Sequence, residues 1–182
     1  KYSTDYHVFV IKAIDNRSAA GPAVYRAFFS YTQAPTIRIE VPPPNHLLTP
    51  IVPPSVRLSW SGTDPDGVFT NKPVRYRYLL MSSATPFPGG LDAAEGDPAK
   101  LVRYYAPAFA ESLGWVETSA DTTAVQLANL TPFQRYLFVV VSFDEAGAFE
   151  PRFNLDSNVL QFRPTLQKLG PDITMFNQFF SR

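Results

Sequence analysis

Residues 136–143 read YLFVVVSF, with Ser142 the one small polar residue among eight positions. Valine and aromatic residues suit an extended strand. Successive side chains of a strand point to opposite faces, so this segment presents apolar groups on both. A strand of that kind must be covered from two sides, which makes it central in its sheet.

Other segments show the half-buried alternative. Val56, Leu58 and Trp60 alternate with Arg57 and Ser59, and Val74, Tyr76, Tyr78 and Leu80 alternate with Arg75, Arg77 and Leu79. Val125 and Leu127, then Leu160 and Phe162, continue the pattern. Period two with one apolar face predicts antiparallel strands. The turn clusters GTDPDG (62–67), TPF (131–133) and DEAG (144–147) separate them. Proline supplies 18 of 182 residues, about twice its ordinary usage, which disfavours a helical bundle. A hydrophobic share of 45% can fill a core and excludes a disordered chain. The expected fold class is all-β: an antiparallel Greek-key sandwich with its core around Trp60, Tyr76, Leu127, Tyr136 and Phe162, in seven strands.

Residues 84–114 break the strand pattern and read as an insertion. It opens with the loop ATPFPGGLDAAEG. Asp97-Pro98 then gives an N-cap followed by proline at the first helical position. Leu101, Val102 and Tyr105 share a face of the predicted helix, Pro107 ends it, and Gly114 closes a second short turn. The apolar face of the insertion is expected to cover the outer side of the strand at 136–143.

The chain also repeats itself. FVIKAID (9–15) resembles FVVVSFD (138–144), and APTIRIEV (34–41) resembles GPDITMFN (170–177). The repeat divides the chain into three parts. Residues 1–33 are the C-terminal strands of a preceding module, 34–165 a complete module with the insertion, and 166–182 the first strand of a following one. The proline-rich stretch 42–54 falls inside the central module; taken alone it reads as an interdomain linker. Both ends carry apolar runs, AVYRAFF at 23–29 and Ile173, Met175, Phe176, Phe179 and Phe180 near the other end. They need cover from further sequence of a parent protein, from a neighbouring chain or from each other.

These residues resemble a fibronectin type III or closely related immunoglobulin-like module. LTPFQRY (130–136) matches that family's approach to its sixth strand, with Tyr136 as the corner tyrosine whose hydroxyl bonds back to the preceding turn. Trp60 matches the tryptophan of the second strand, and Tyr76 or Tyr78 the tyrosine of the third. WSGTDPDG (60–67) and DEAG resemble versions found in large secreted bacterial surface proteins. The resemblance implies an extracellular or cell-surface module and brings no catalytic residues with it. The insertion and the long segment before Val56 make this module longer than the family's usual length.

Chemistry-bearing constellations are few. Sixteen basic and sixteen acidic residues leave no net charge, so no basic face is available for nucleic acid. No apolar run reaches the roughly 18 residues of a membrane span. Cysteine is absent, which removes disulfides and thiolate chemistry. His7 and His46 fall in no triad or metal-ligand spacing. Glu111 and Glu117 flank the insertion without an implied cleft, and read as solvated surface rather than a glycosidase pair. Asp64, Asp66, Asp144 and Glu145 are expected at one pole of the sandwich, where four carboxylates suit calcium, a hard cation taking oxygen ligands. The competing reading of 64–67 is a proline turn with no metal. Phe87, Tyr104, Phe109 and Trp115 form the candidate exposed aromatic set for stacking on sugar rings.

The function expected from this reading is non-catalytic: spacing, display or adhesion within a multidomain extracellular protein, with neighbouring modules or subunits of the same protein as partners. Two alternatives use other features. One is a filament subunit that adds strands to its neighbour, and the other a polysaccharide-binding accessory module of a secreted hydrolase.

Overall fold

The computed structural model describes residues 5–30, 32–67, 70–104 and 113–166. In chain order its elements are β1 (Asp5–Ile11), β2 (Val24–Ser30), β3 (Thr36–Val41), β4 (Ile51–Val52), β5 (Val56–Thr63) and β6 (Arg75–Met81). There follow α1 (Gly90–Gly96), a 3-10 helix (Pro98–Tyr104), β7 (Val116–Ser119), β8 (Ala124–Leu127), β9 (Tyr136–Phe143) and β10 (Val159–Pro164).

Two sheets make the sandwich, one in the order β3-β5-β8 and the other β4-β10-β9-β6-β7. The chain changes sheet repeatedly, as a Greek key requires. The pairings are antiparallel except β4 with β10, which is parallel. Among the described residues the sandwich therefore holds eight strands where seven were expected. The additional one is the two-residue β4, which extends the larger sheet beside β10. β1 and β2 form a separate two-stranded hairpin.

Every residue of β9 is buried, and its two faces serve two different cores. Tyr136, Phe138 and Val140 join Ile37, Ile39, Leu58, Trp60, Tyr76, Leu160 and Phe162 between the sheets. Leu137, Val139, Val141 and Phe143 join Leu79, Met81, Phe87, Leu91, Ala94, Leu101, Leu113, Phe153 and Val159 on the outer side. Each large apolar side chain buried this way contributes about 1.5–3 kcal/mol. The inner core centres on Trp60, whose ring lies 6.0 Å from those of Tyr76, Tyr78 and Phe138. Leu127, expected in this core, is only half-buried at its margin.

The corner at Tyr136 forms as the sequence predicts: its hydroxyl accepts a hydrogen bond from the Thr131 backbone N–H at 3.0 Å. The insertion covers the outer face of the larger sheet, also as expected, but with different elements. Its helix after Asp97-Pro98 is 3-10, and Leu101 is buried from it. Tyr105, Pro107 and the turn expected at 108–113 lie wholly or largely outside the described residues. The segment read as a loop contains α1, with Leu91 and Ala94 buried. Gly89, at φ 80°, leads into α1 without a side-chain cap. Arg135 holds the helix from the other side through ion pairs with Asp92 and, at 2.8 Å, Glu95.

Candidate functional site

The registers place the chain's two connections at opposite poles. β9 ends at Phe143 opposite Arg75, the first residue of β6, and Thr63 at the end of β5 pairs with Thr36 at the start of β3. Residues 32–36, 64–67 and 144–148 therefore gather at one pole, the entry pole. β10 runs the other way, so Pro164 ends near the start of β9, where its carbonyl accepts from Phe133 N–H at 2.7 Å. That is the exit pole.

The four carboxylates singled out in the sequence belong to the entry-pole loops, and they differ in state. Asp144 is buried. Its Oδ1 accepts from Ala148 N–H at 2.7 Å, and its Oδ2 accepts from the Thr32 hydroxyl. Asp66 is exposed, and its Oδ2 accepts from Gln33 N–H at 2.7 Å. Both carboxylates thus clamp the segment that connects β2 to β3. Glu145 is exposed. Asp64 is fully buried, with Asp66 beside its carboxyl group. Burial above all, then the adjacent Asp66 carboxyl group and the charge of Glu145, pushes its pKa up to about 6.

Among the described residues no three acidic or imidazole side chains converge on a point that could hold a metal ion. At this pole Asp144 and Asp66 take protein donors, which fastens the entering chain to the two loops.

The turn that Asp144 begins has a counterpart in the hairpin. Asp144 N–H donates to Ala148 O at 3.1 Å, Gly147 N–H donates to Asp144 O at 3.2 Å, and Ala148 N–H donates to Asp144 Oδ1. Asp15 N–H donates to Ala19 O at 3.0 Å, Ser18 N–H donates to Asp15 O at 3.1 Å, and Ala19 N–H donates to Asp15 Oδ1 at 2.8 Å. The fourth residue of each turn is left-handed: Gly147 at φ 82° and Ser18 at φ 64°. The sequence match between 9–15 and 138–144 thus extends to the hydrogen bonds of the turn that follows.

The remaining candidates have structural partners. His46 Nδ1 lies 2.8 Å from Asp156, whose carboxyl the His46 hydrogen bonds hold below its ordinary pKa. The pair pins the 42–50 segment beside β10. Glu117 pairs with Arg77 at 2.7 Å and with Arg75 at 3.8 Å. Both guanidinium groups lie over the Phe143 ring, at 4.9 Å for Arg75 and 5.4 Å for Arg77. Phe87 is buried, and Trp115 is partly buried against the outer core. Phe109 and Glu111 lie outside the described residues. Among the described residues no helix is long and apolar enough to cross a membrane.

The strand order, the Greek-key crossing between sheets and the corner hydrogen bond of Tyr136 decide the architecture. The fold is a fibronectin type III-like sandwich. No family model matches the sequence, and no curated protein matches it. Among solved structures, the crystal structure of the chicken CNTN1 FN1-FN3 domains is similar at 15% identity, with a TM-score of 0.38. The match covers 89% of this chain and 43% of that one, so the chain spans less than half of its length.

Proposed function

We propose that this chain is a non-catalytic structural unit of an extracellular or cell-surface assembly, joined to like units through its ends. The observation that carries the reading is the paired turn. The hairpin β1–β2 repeats the sequence and hydrogen bonds of the β9 turn, which supports reading residues 1–33 as a piece of a second sandwich beside the first. The clamp of Thr32 and Gln33 by Asp144 and Asp66 supports a fixed joint between the two, which is what spacing and display require. A fold of this kind does not by itself fix a function, and contact between units is the use these residues favour.

Surface labelling of the source cells tests this. The chain should be reached by a membrane-impermeant biotin reagent on intact cells, and by protease added outside. A protein labelled only after lysis overturns the extracellular reading.

A further inference from the structure

We infer that copies of this chain associate head to tail, the hairpin β1–β2 of one copy receiving the segment 170–177 of the next. The inference rests on the reading above, in which the two ends are parts of like units.

The acceptor is an uncovered strand. Val8, Phe9, Val10 and Ile11 are successive and all exposed, Phe9 at 61% and Ile11 at 58%. Because successive residues alternate in face, both faces of β1 are open. Ile14, Val24 and Tyr25 add to the same apolar surface. The matching residues of β9 are buried throughout. The central sandwich indicates what covers such a strand. On the inner face of β9 the cover includes β3, whose Ile37 and Ile39 share the core with Phe138 and Val140. The arrangement is fixed by Ile39 N–H donating to Ser157 O at 2.8 Å and by the Ser142 hydroxyl donating to Pro35 O at 3.4 Å.

The donor is the segment that repeats β3. In GPDITMFN, Ile173 stands where β3 has Ile37, and Met175 where it has Ile39. On β1, Phe9 and Ile11 stand where β9 has Phe138 and Val140. The two segments are thus matched in pattern, residue by residue.

Their positions decide between self-contact and contact with another copy. The hairpin joins the sandwich at the entry pole, and Leu166 leaves it at the exit pole, followed by the sixteen residues 167–182. Only residues 167–169 separate Leu166 from the segment 170–177, a reach of about 14 Å, short of the roughly 26 Å that the eight-residue β9 spans from pole to pole. Ile51, Phe133 and Leu166 are exposed around the exit pole and continue the apolar surface there. A contact that joins opposite poles is heterologous, so it repeats from copy to copy beyond a dimer, as an open filament or a closed ring.

Sedimentation velocity of the full chain, from low micromolar to hundreds of micromolar, tests the inference. The unaltered chain should grow past a dimer as concentration rises. Phe9→Asp, and separately the double change Ile173→Asp with Met175→Asp, should each weaken association about a hundredfold or more. Mixed together, the two variants should form a one-to-one dimer that extends no further, since each keeps one working end. The near-UV signal of Trp60 and Trp115 reports whether the sandwich stays intact in each. If Phe9→Asp disturbs it, the Ile173/Met175 variant alone decides. An unaltered chain that is monomeric throughout, whether bare or covered by its own tail, overturns the inference. So do variants that still polymerise, or a mixture that stays monomeric. A monomeric chain that is nonetheless labelled on intact cells defeats this inference alone. A chain confined inside the cell defeats the functional reading, whatever its sedimentation.

Discussion

Asp15 and Asp144 begin turns with the same three hydrogen bonds, yet Asp144 is buried and Asp15 is exposed. Each has one further partner: Asp15 Oδ1 also accepts from the neighbouring Arg17 N–H at 2.8 Å, whereas Asp144 accepts from the Thr32 hydroxyl, remote in sequence. The pair separates what a turn contributes by itself from what it contributes as an anchor.

Asp144→Ala should therefore destabilise the sandwich by about 2–4 kcal/mol, because it removes two bonds to a buried charged acceptor. Asp15→Ala should lose about 1 kcal/mol or less, as an exposed capping-type bond does. Urea melts of the two variants check the difference. Equal losses would mean that burial of Asp144 adds nothing.

Asp64 should make the protein more stable in mild acid than at neutrality. Its folded pKa of about 6 lies above the unfolded value, so the folded state binds the extra proton. Stability from this group is complete below about pH 4 and falls as pH rises through 6. Asp64→Asn keeps the shape and removes the charge. It should raise stability at pH 7 by about 1–3 kcal/mol, with the gain fading at pH 4. Thermal melts at the two pH values decide it, and a variant that is weaker at pH 7 would refute the buried-charge reading.

Trp60→Ala should cost about 3–5 kcal/mol, since it empties the centre of the inner core. Tyr136→Phe removes the corner hydroxyl alone and should cost about 1 kcal/mol. Denaturant melts read both. A Trp60 loss below about 1 kcal/mol would be incompatible with its burial among three aromatic rings.

Arg135→Gln should loosen α1 in a pH-dependent way. Burial raises the Glu95 pKa, and Arg135 works against that rise. Without the guanidinium group the Glu95 pKa climbs further, so ionised Glu95 becomes a burden as pH increases. The variant should lose about 1–2 kcal/mol at pH 7 and little near pH 4. Hydrogen exchange across 90–96 at both pH values is the measure. Uniform loss at both would show that the ion pairs with Asp92 and Glu95 are not the cause.

The strands were legible where side-chain period alone decides. β5 alternates, β9 is apolar on both faces, and Tyr136 follows a recognisable turn. β6 reads as half-buried, with Leu79 facing outward, but the insertion covers that face and buries Leu79 and Met81. The short elements were not. β4 is two residues between prolines, and only its place beside β10 makes it a strand. α1 begins at Gly90, directly after Gly89, with two buried positions, Leu91 and Ala94. A helix that short is marginal by propensity, and its support comes from Arg135, remote in sequence. The acidic pole was legible as a gathering of loops. Its use was not, because Thr32 meets Asp144 across 112 positions, and nothing in DPDG distinguishes a buried first aspartate from an exposed third residue.

The opposite poles of entry and exit also set how the sandwich carries load. Tension applied between Gln33 and Thr165 pulls β3, and through it β4, against β10. β4 and β10 run parallel, so their ends are drawn past each other along the strand axis. The bonds from Arg163 N–H to Pro50 O and from Thr165 N–H to Val52 O, at 3.0 and 2.9 Å, are then strained together in shear. A pair pulled apart from one end opens its bonds one after another; this pair must break both at once.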